Sequence, residues 1–144
     1  MAPVVDSPVG WVKQHIRKYI ESGGAEGHEW RPGVFTLLLT TTGRKSGEPR
    51  RTALIYGPYG DAYVVVGSNG GSPNHPSWYW NLLAENRAEV QVGPDVFPAT
   101  ARIATGEERA KLWKMMAEVF SDYHRYEKET DREIPVVVLE RVQS

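Results

Sequence analysis

Two apolar runs, residues 34–39 and 52–56, are separated by TTTGRKSGEPRR, residues 40–51. Glycine and proline punctuate that separator, and β-branched and aromatic residues flank it, so the local reading is strand, turn, strand. Arg44, Lys45, Arg50 and Arg51 stand against one anion, Glu48, giving this turn a local charge of +3 in a chain of net charge −1. Arginine offers a planar fork to phosphate or carboxylate and lysine a point charge, while Ser46 and the loop amides can fill remaining lone pairs. The turn is therefore a candidate anion site. The competing reading is a hairpin tip that is charged because it is wet.

The rest of the chain continues the β pattern. Residues 62–67 include an unbroken Tyr-Val-Val-Val and read as a strand buried on both faces, after a turn at 57–61. Residues 87–93 alternate, as do Phe97, Ala99, Ala101 and Ile103, and residues 134–142 supply a closing strand. Residues 68–74 form a glycine-rich loop. A short helix over 76–85 opens on Trp78, Tyr79 and Trp80. Thr105-Gly-Glu-Glu108 has the form of a capping box for a helix that aligns Trp113, Met116, Phe120 and Tyr123, with Tyr126 one turn on. The expected fold is α+β and mainly β, about six antiparallel strands in a small barrel flanked by two or three helices.

Ahead of this lies a loose leader (residues 1–6), then Ser7 and Pro8 as a helix start. Val9, Val12, Ile16, Tyr19 and Ile20 recur at helical spacing, with Lys13, Arg17 and Lys18 elsewhere, and Gly23-Gly24 ends the helix. Such a basic amphipathic helix can dock on the domain, cover a cleft, or rest on a membrane surface. The expected division is an N-terminal helix, residues 1–24, serving as lid or surface anchor, and one domain, residues 25–144. Residues 27–32 read as an irregular connection.

With 144 residues the chain is long enough to bury a core. One basic loop in a near-neutral chain argues against nucleic-acid binding. The absence of cysteine removes disulfides, thiolate metal sites and thiol catalysis. His15, His28, His75 and His124 show no ligand spacing, so no metal is expected, and neither a GxSxG elbow nor a nucleotide-binding glycine motif is present. No apolar run approaches membrane-spanning length and no signal core follows the start, which points to the cytoplasm, with the inner face of the plasma membrane as one place of work. What remains is a cationic loop, a glycine-rich loop and aromatic helix faces. A flat cofactor with an anionic tail would use all of them.

The segments TTGRKSGEPR, VVVGSNGG, PSWYWNL and TDREIPVVV, in that order, resemble the deazaflavin (F420)-dependent nitroreductase and quinone reductase family. The resemblance runs from about Thr36 to the last strand. It implies a split β-barrel like that of small FMN-binding oxidoreductases, and hydride transfer from reduced coenzyme F420 to a quinone or nitroaromatic acceptor. It implies the cofactor tail on Arg44, Lys45, Ser46, Arg50 and Arg51. The ring would lie against Thr52, Ala53, Leu54 and Ile55, against Val66, Gly67, Ser68 and Asn69, and beside Ser77, Trp78, Tyr79, Trp80 and Asn81. Ser68 and Tyr123 fall near the reacting face and Tyr126 at the acceptor side. Ile55 and Phe120 stand where the nitroimidazole-active member has tyrosines, so nitroimidazole activation is expected to be poor. The alternatives are a non-catalytic deazaflavin carrier and an FMN-type split-barrel oxidoreductase.

Overall fold

The computed structural model describes residues 4–7 and 10–142. Among these residues are nine strands: β1 Val5–Asp6, β2 Glu29–Arg31, β3 Val34–Thr42, β4 Pro49–Ile55, β5 Gly57–Tyr59, β6 Ala62–Val66, β7 Arg87–Val92, β8 Asp95–Ile103 and β9 Val136–Arg141. The four helices are α1 Gly10–Glu21, α2 Ser77–Ala84, α3 Gly106–Val119 and α4 Asp122–Glu129. Architecture is thus mixed α+β and mainly sheet, with nine strands rather than six and four helices rather than two or three. The three extra strands are short pieces that pairing alone defines. β1 adds in parallel to β4 where a loose leader was expected, β2 pairs with β3 in the supposedly irregular connection, and β5 forms a hairpin with β6 within the expected turn.

The sheet runs β1-β4-β3-β7-β8-β9-β6-β5, with β2 branching from β3. It curls enough for β4 and β6 to touch, although four strands lie between them in that order. Side chains alternate across a strand, and β9 feeds two cores accordingly. Val137 and Leu139 join Leu37, Leu39, Val65 and Phe97 on one side. Val136 and Val138 join Val64, Val66, Leu112 and Met116, under α3, on the other. The Val64–Val66 run is buried on both faces, as its unbroken apolar sequence predicts.

Two local expectations fail for identifiable reasons. The capping box does not form: Thr105 makes no side-chain cap bond, and the Glu108 carboxylate is instead held by Arg102, at 2.5 and 3.0 Å, and by the Tyr59 hydroxyl at 3.0 Å. The late helix is also two helices. Phe120 leaves helical geometry (φ −143°, ψ 100°) at the end of α3, and α4 starts afresh, so Tyr123 and Tyr126 approach from a new direction.

α1 is docked on the sheet. Ile16 and Tyr19 are fully buried and pack with Leu38, whereas Ile20 is partly exposed, so the buried stripe is narrower than the spacing suggests. Pro8 and Val9 lie outside the described residues. The Tyr19 hydroxyl donates towards Thr36 O (3.0 Å) and Gln91 O (3.3 Å) and accepts from the Gly93 amide (2.7 Å). Beside it Gly24, at φ +88°, sits so close to Gly93 that a Cβ would lie 2.3 Å from its Cα. Tyr19→Phe leaves a buried N–H unpaired and is expected to cost about 1–3 kcal/mol, seen as a fall of several degrees in Tm. An unchanged melting curve would mean that water replaces the hydroxyl.

Candidate functional site: a cationic and aromatic cavity

Strand β4, helix α1, the 68–77 segment, α2 and the α3–α4 junction surround a cavity of about 930 Å³. Its cationic end is the β3–β4 turn. Gly43 N–H donates to Glu48 O and Gly47 N–H to Gly43 O, both at 2.8 Å, and Gly47 takes φ +73°, the conformation that glycine permits at least cost. Ser46 Oγ accepts the Glu48 amide at 3.1 Å. Asn81, almost fully buried, accepts the Arg44 amide on Oδ1 (3.1 Å) and donates from Nδ2 to Thr41 Oγ1 (3.1 Å), fixing the turn to α2. Arg51 donates to Asp6 Oδ1 at 2.6 Å. Arg50 has only a long, exposed contact with Glu48 at 3.9 Å. Arg44 meets only the neutral Asn81 amide, and Arg50 only that distant carboxylate, so Arg44, Lys45 and Arg50 all bring positive charge to the cavity, with the Lys45 and Arg50 side chains the less tied down.

Of the residues the sequence nominates, Arg44, Lys45, Ser46, Arg50, Arg51, Thr52, Ala53, Leu54, Ile55, Val66, Ser68, Asn69, Ser77, Trp78, Asn81, Tyr123 and Tyr126 do line this cavity. Three do not. Gly67 is packed against Pro135, where a Cβ would meet the ring at 2.7 Å, so its smallness serves chain packing. Tyr79 and Trp80 follow Trp78 on one helix, where successive side chains point about 100° apart. Only Trp78 of the three lines the cavity; Tyr79 packs against the first core and Trp80 is partly exposed.

The opposite wall is aromatic. Trp11 stacks on Trp30 at 6.4 Å, Trp30 contacts Phe120 at 6.0 Å, Phe120 contacts Tyr123 at 5.3 Å, and Tyr123 contacts Tyr126 at 6.3 Å. All five line the cavity. Trp11 and Trp30 are not legible as site residues in the sequence, because they come from a helix and a strand that only tertiary packing places over the opening. His15 and His75, which show no metal-ligand spacing in the sequence, also line the cavity. The His15 Nε2–H donates to Thr36 Oγ1 (3.0 Å), whose own hydroxyl donates to Gly27 O (2.7 Å), and burial lowers the His15 pKa. Burial drives the Tyr123 phenol pKa far above its ordinary value, so this side chain stays protonated and acts only as a hydroxyl. No group of metal-ligating side chains forms among the described residues.

The dimensions suit a small organic cofactor with its acceptor, and the donors suit an anionic tail joined to a flat ring. Residues 11–141 match the family model of the F420H(2)-dependent quinone reductases. The chain belongs to this family. An F420H(2)-dependent quinone reductase of Mycobacterium tuberculosis (strain H37Rv) is 41% identical over 133 residues, covering 90% of this chain and 89% of that one. Among solved structures, that of an F420-H2 dependent reductase, FDR-A, is 44% identical with a TM-score of 0.68, covering 73% of this chain and 93% of its own. A structure described as a domain-swapped dimer is 40% identical with a TM-score of 0.71, covering 93% and 100% respectively. The family assignment thus takes in every strand from β2 to β9 and the whole cationic turn.

Proposed function

We propose that the cavity receives the anionic tail of reduced coenzyme F420 on Lys45 and Arg50. Its ring lies against β4 and the Ser68–Asn69 backbone, and the acceptor enters beside Tyr123 and Tyr126. The chain is an F420H2-dependent quinone reductase, in which reduced F420, when bound, supplies from C5 the hydride that, with one proton, converts a quinone to its hydroquinone. The observation that carries this reading is a single cavity uniting the cationic turn with the aromatic wall. Trp11, Trp30 and Phe120 shield the opening from water, and Ser68 and Tyr123 offer hydroxyls that orient the acceptor oxygen. The curl that brings β4 against β6 supports a split barrel of the FMN-binding type.

Anaerobic mixing with reduced F420 and then menadione, with FMN and NADPH as controls, tests the function. Loss of the F420H2 absorbance on menadione addition is expected. A carrier would bind F420 and leave it unreacted, and an FMN enzyme would respond to FMN instead.

Nitroaromatic acceptors belong to the same proposal with a narrower range. Ile55 and Phe120 line the cavity without hydroxyls, so a polar nitro heterocycle finds fewer hydrogen-bond partners while a flat apolar quinone loses little. Turnover of a bicyclic nitroimidazole is expected roughly tenfold or more below that of menadione, rising in Ile55→Tyr/Phe120→Tyr. Equal turnover in the unaltered chain would show that these positions do not set the range.

No helix among the described residues is long and apolar enough to cross a membrane. The outer side of α1, with Trp11, Lys13, Arg17 and Lys18 exposed, suits peripheral contact with anionic lipid at the cytoplasmic face. Salt-sensitive co-sedimentation of the full chain with anionic liposomes tests it.

A further inference from the structure

The cavity wall that carries Ser68 turns through Asn69 (φ +48°), Gly70 (+63°) and Gly71 (+83°), three successive residues in the left-handed region. Asn69 is the one non-glycine residue with positive φ among those described. Such a backbone persists where its surroundings over-determine it. Local bonds contribute: Gly71 N–H to Ser68 O (2.9 Å), Ser72 N–H to Asn69 O (3.1 Å) and Asn69 Nδ2 to Asn74 O (3.1 Å). The remaining constraint comes from far along the chain. Arg132 Nη2 donates to Ser68 O at 2.8 Å, Nη1 to Gly67 O at 3.1 Å, and Nε to Ser72 O at 3.0 Å. Its Nη1 also lies 2.9 Å from His75 Nδ1. A guanidinium has donors only, so Nδ1 accepts and the neutral imidazole carries its proton on Nε2.

We propose that Arg132 is a positioning residue for hydride transfer, acting through Ser68 and His75. It fixes the backbone on which Ser68 stands, and it fixes His75 as the Nε2–H tautomer, so that this cavity-lining ring has a donor to offer and no free acceptor. The proposal rests on the reading of the cavity as the F420 and quinone site. Lysine cannot replace the residue, because a point charge on a flexible stem cannot span three carbonyls and an imidazole in one plane.

Arg132→Lys and Arg132→Met test this in two arms. In the ligand-free chain, nitrogen NMR of His75 is expected to show the Nε2–H tautomer in the unaltered protein and a mixture in both variants. The Gly71 and Ser72 amides should exchange with solvent about tenfold faster or more in the variants. In the loaded enzyme, kcat with menadione is expected to fall about tenfold or more, since misplaced groups lose near-attack geometry. KM for F420H2 should stay within about threefold, because the tail is held by the cationic turn. If Arg132→Met does not fold, the lysine variant decides. A folded Arg132→Lys protein with unaltered kcat, or with His75 still in one tautomer and the amides still protected, overturns the proposal. An unaltered chain that fails to oxidise F420H2 removes the hydride-transfer role, while the NMR and exchange arm still decides whether Arg132 holds the loop.

Discussion

The double variant Lys45→Ala/Arg50→Ala is expected to bind F420 about a hundredfold more weakly, with little change in rate at saturation. Each side chain lines the cavity, and neither is tightly neutralised: Arg50 meets Glu48 only at 3.9 Å, both exposed. A charge-assisted contact is worth on the order of 1.5–3 kcal/mol, about tenfold or more in affinity for each one lost. The other two cations are less diagnostic. Arg51 is tied to Asp6 and through it to β1, and Arg44 is bound through its amide and guanidinium to Asn81. Binding by the unaltered chain should weaken as salt rises, and the double variant should lose most of that dependence. Fluorescence titration of F420 at two salt concentrations measures both quantities. Unchanged affinity at low salt would remove the turn from the site.

Deleting residues 1–24 is expected to unfold the protein or leave it marginal. The sequence alone suggests the reverse, a separable lid whose removal spares folding and cofactor binding. But the deletion removes Ile16 and Tyr19, both fully buried, with the three hydrogen bonds of the Tyr19 hydroxyl and the pairing of β1 with β4. Burial of a large side chain contributes about 1.5–3 kcal/mol and each hydrogen bond about 0.5–1.5. The loss is therefore on the order of 5 kcal/mol or more, against a typical total of about 5–15. Circular dichroism melts of the truncated and full chains measure it. A truncated chain with the parent's Tm and F420 affinity would restore the lid reading.

These two cases mark what a sequence of this kind reveals. The long strands are legible because their pattern is local: alternation in β7 and β8, an unbroken apolar run in β6. β1, β2 and β5 are two or three residues long and exist only through their partners, so no local pattern encodes them. The capping box at Thr105 is a sound local signal that tertiary contacts override, since the Glu108 carboxylate is engaged by Arg102 and Tyr59 from elsewhere in the fold. For the site, the cationic turn is legible because its charges are contiguous. Of the aromatic wall, Phe120, Tyr123 and Tyr126 are legible because they lie close together in one stretch, whereas Trp11 and Trp30 are not, because only tertiary packing brings them to the opening. Tyr79 and Trp80 adjoin Trp78 in sequence, yet helical geometry turns them away from the cavity that Trp78 lines. Arg132 escapes notice because all its partners lie 57 to 65 positions away.

The position of β9 bears on how the chain is made. β9 is the last described strand in the sequence, yet it lies between β8 and β6, its Val136–Leu139 segment fully buried. On the ribosome, β6 must wait about 70 residues, from Val66 to Val136, for its inner partner. Until then β6 and β8 each present an unpaired apolar edge. Unpaired strand edges and exposed apolar surface make a partly made chain prone to aggregate during that interval. Nonsense mutations just before Val136 would remove the centre of the sheet instead of trimming its margin, and should yield aggregates in place of a weakened enzyme.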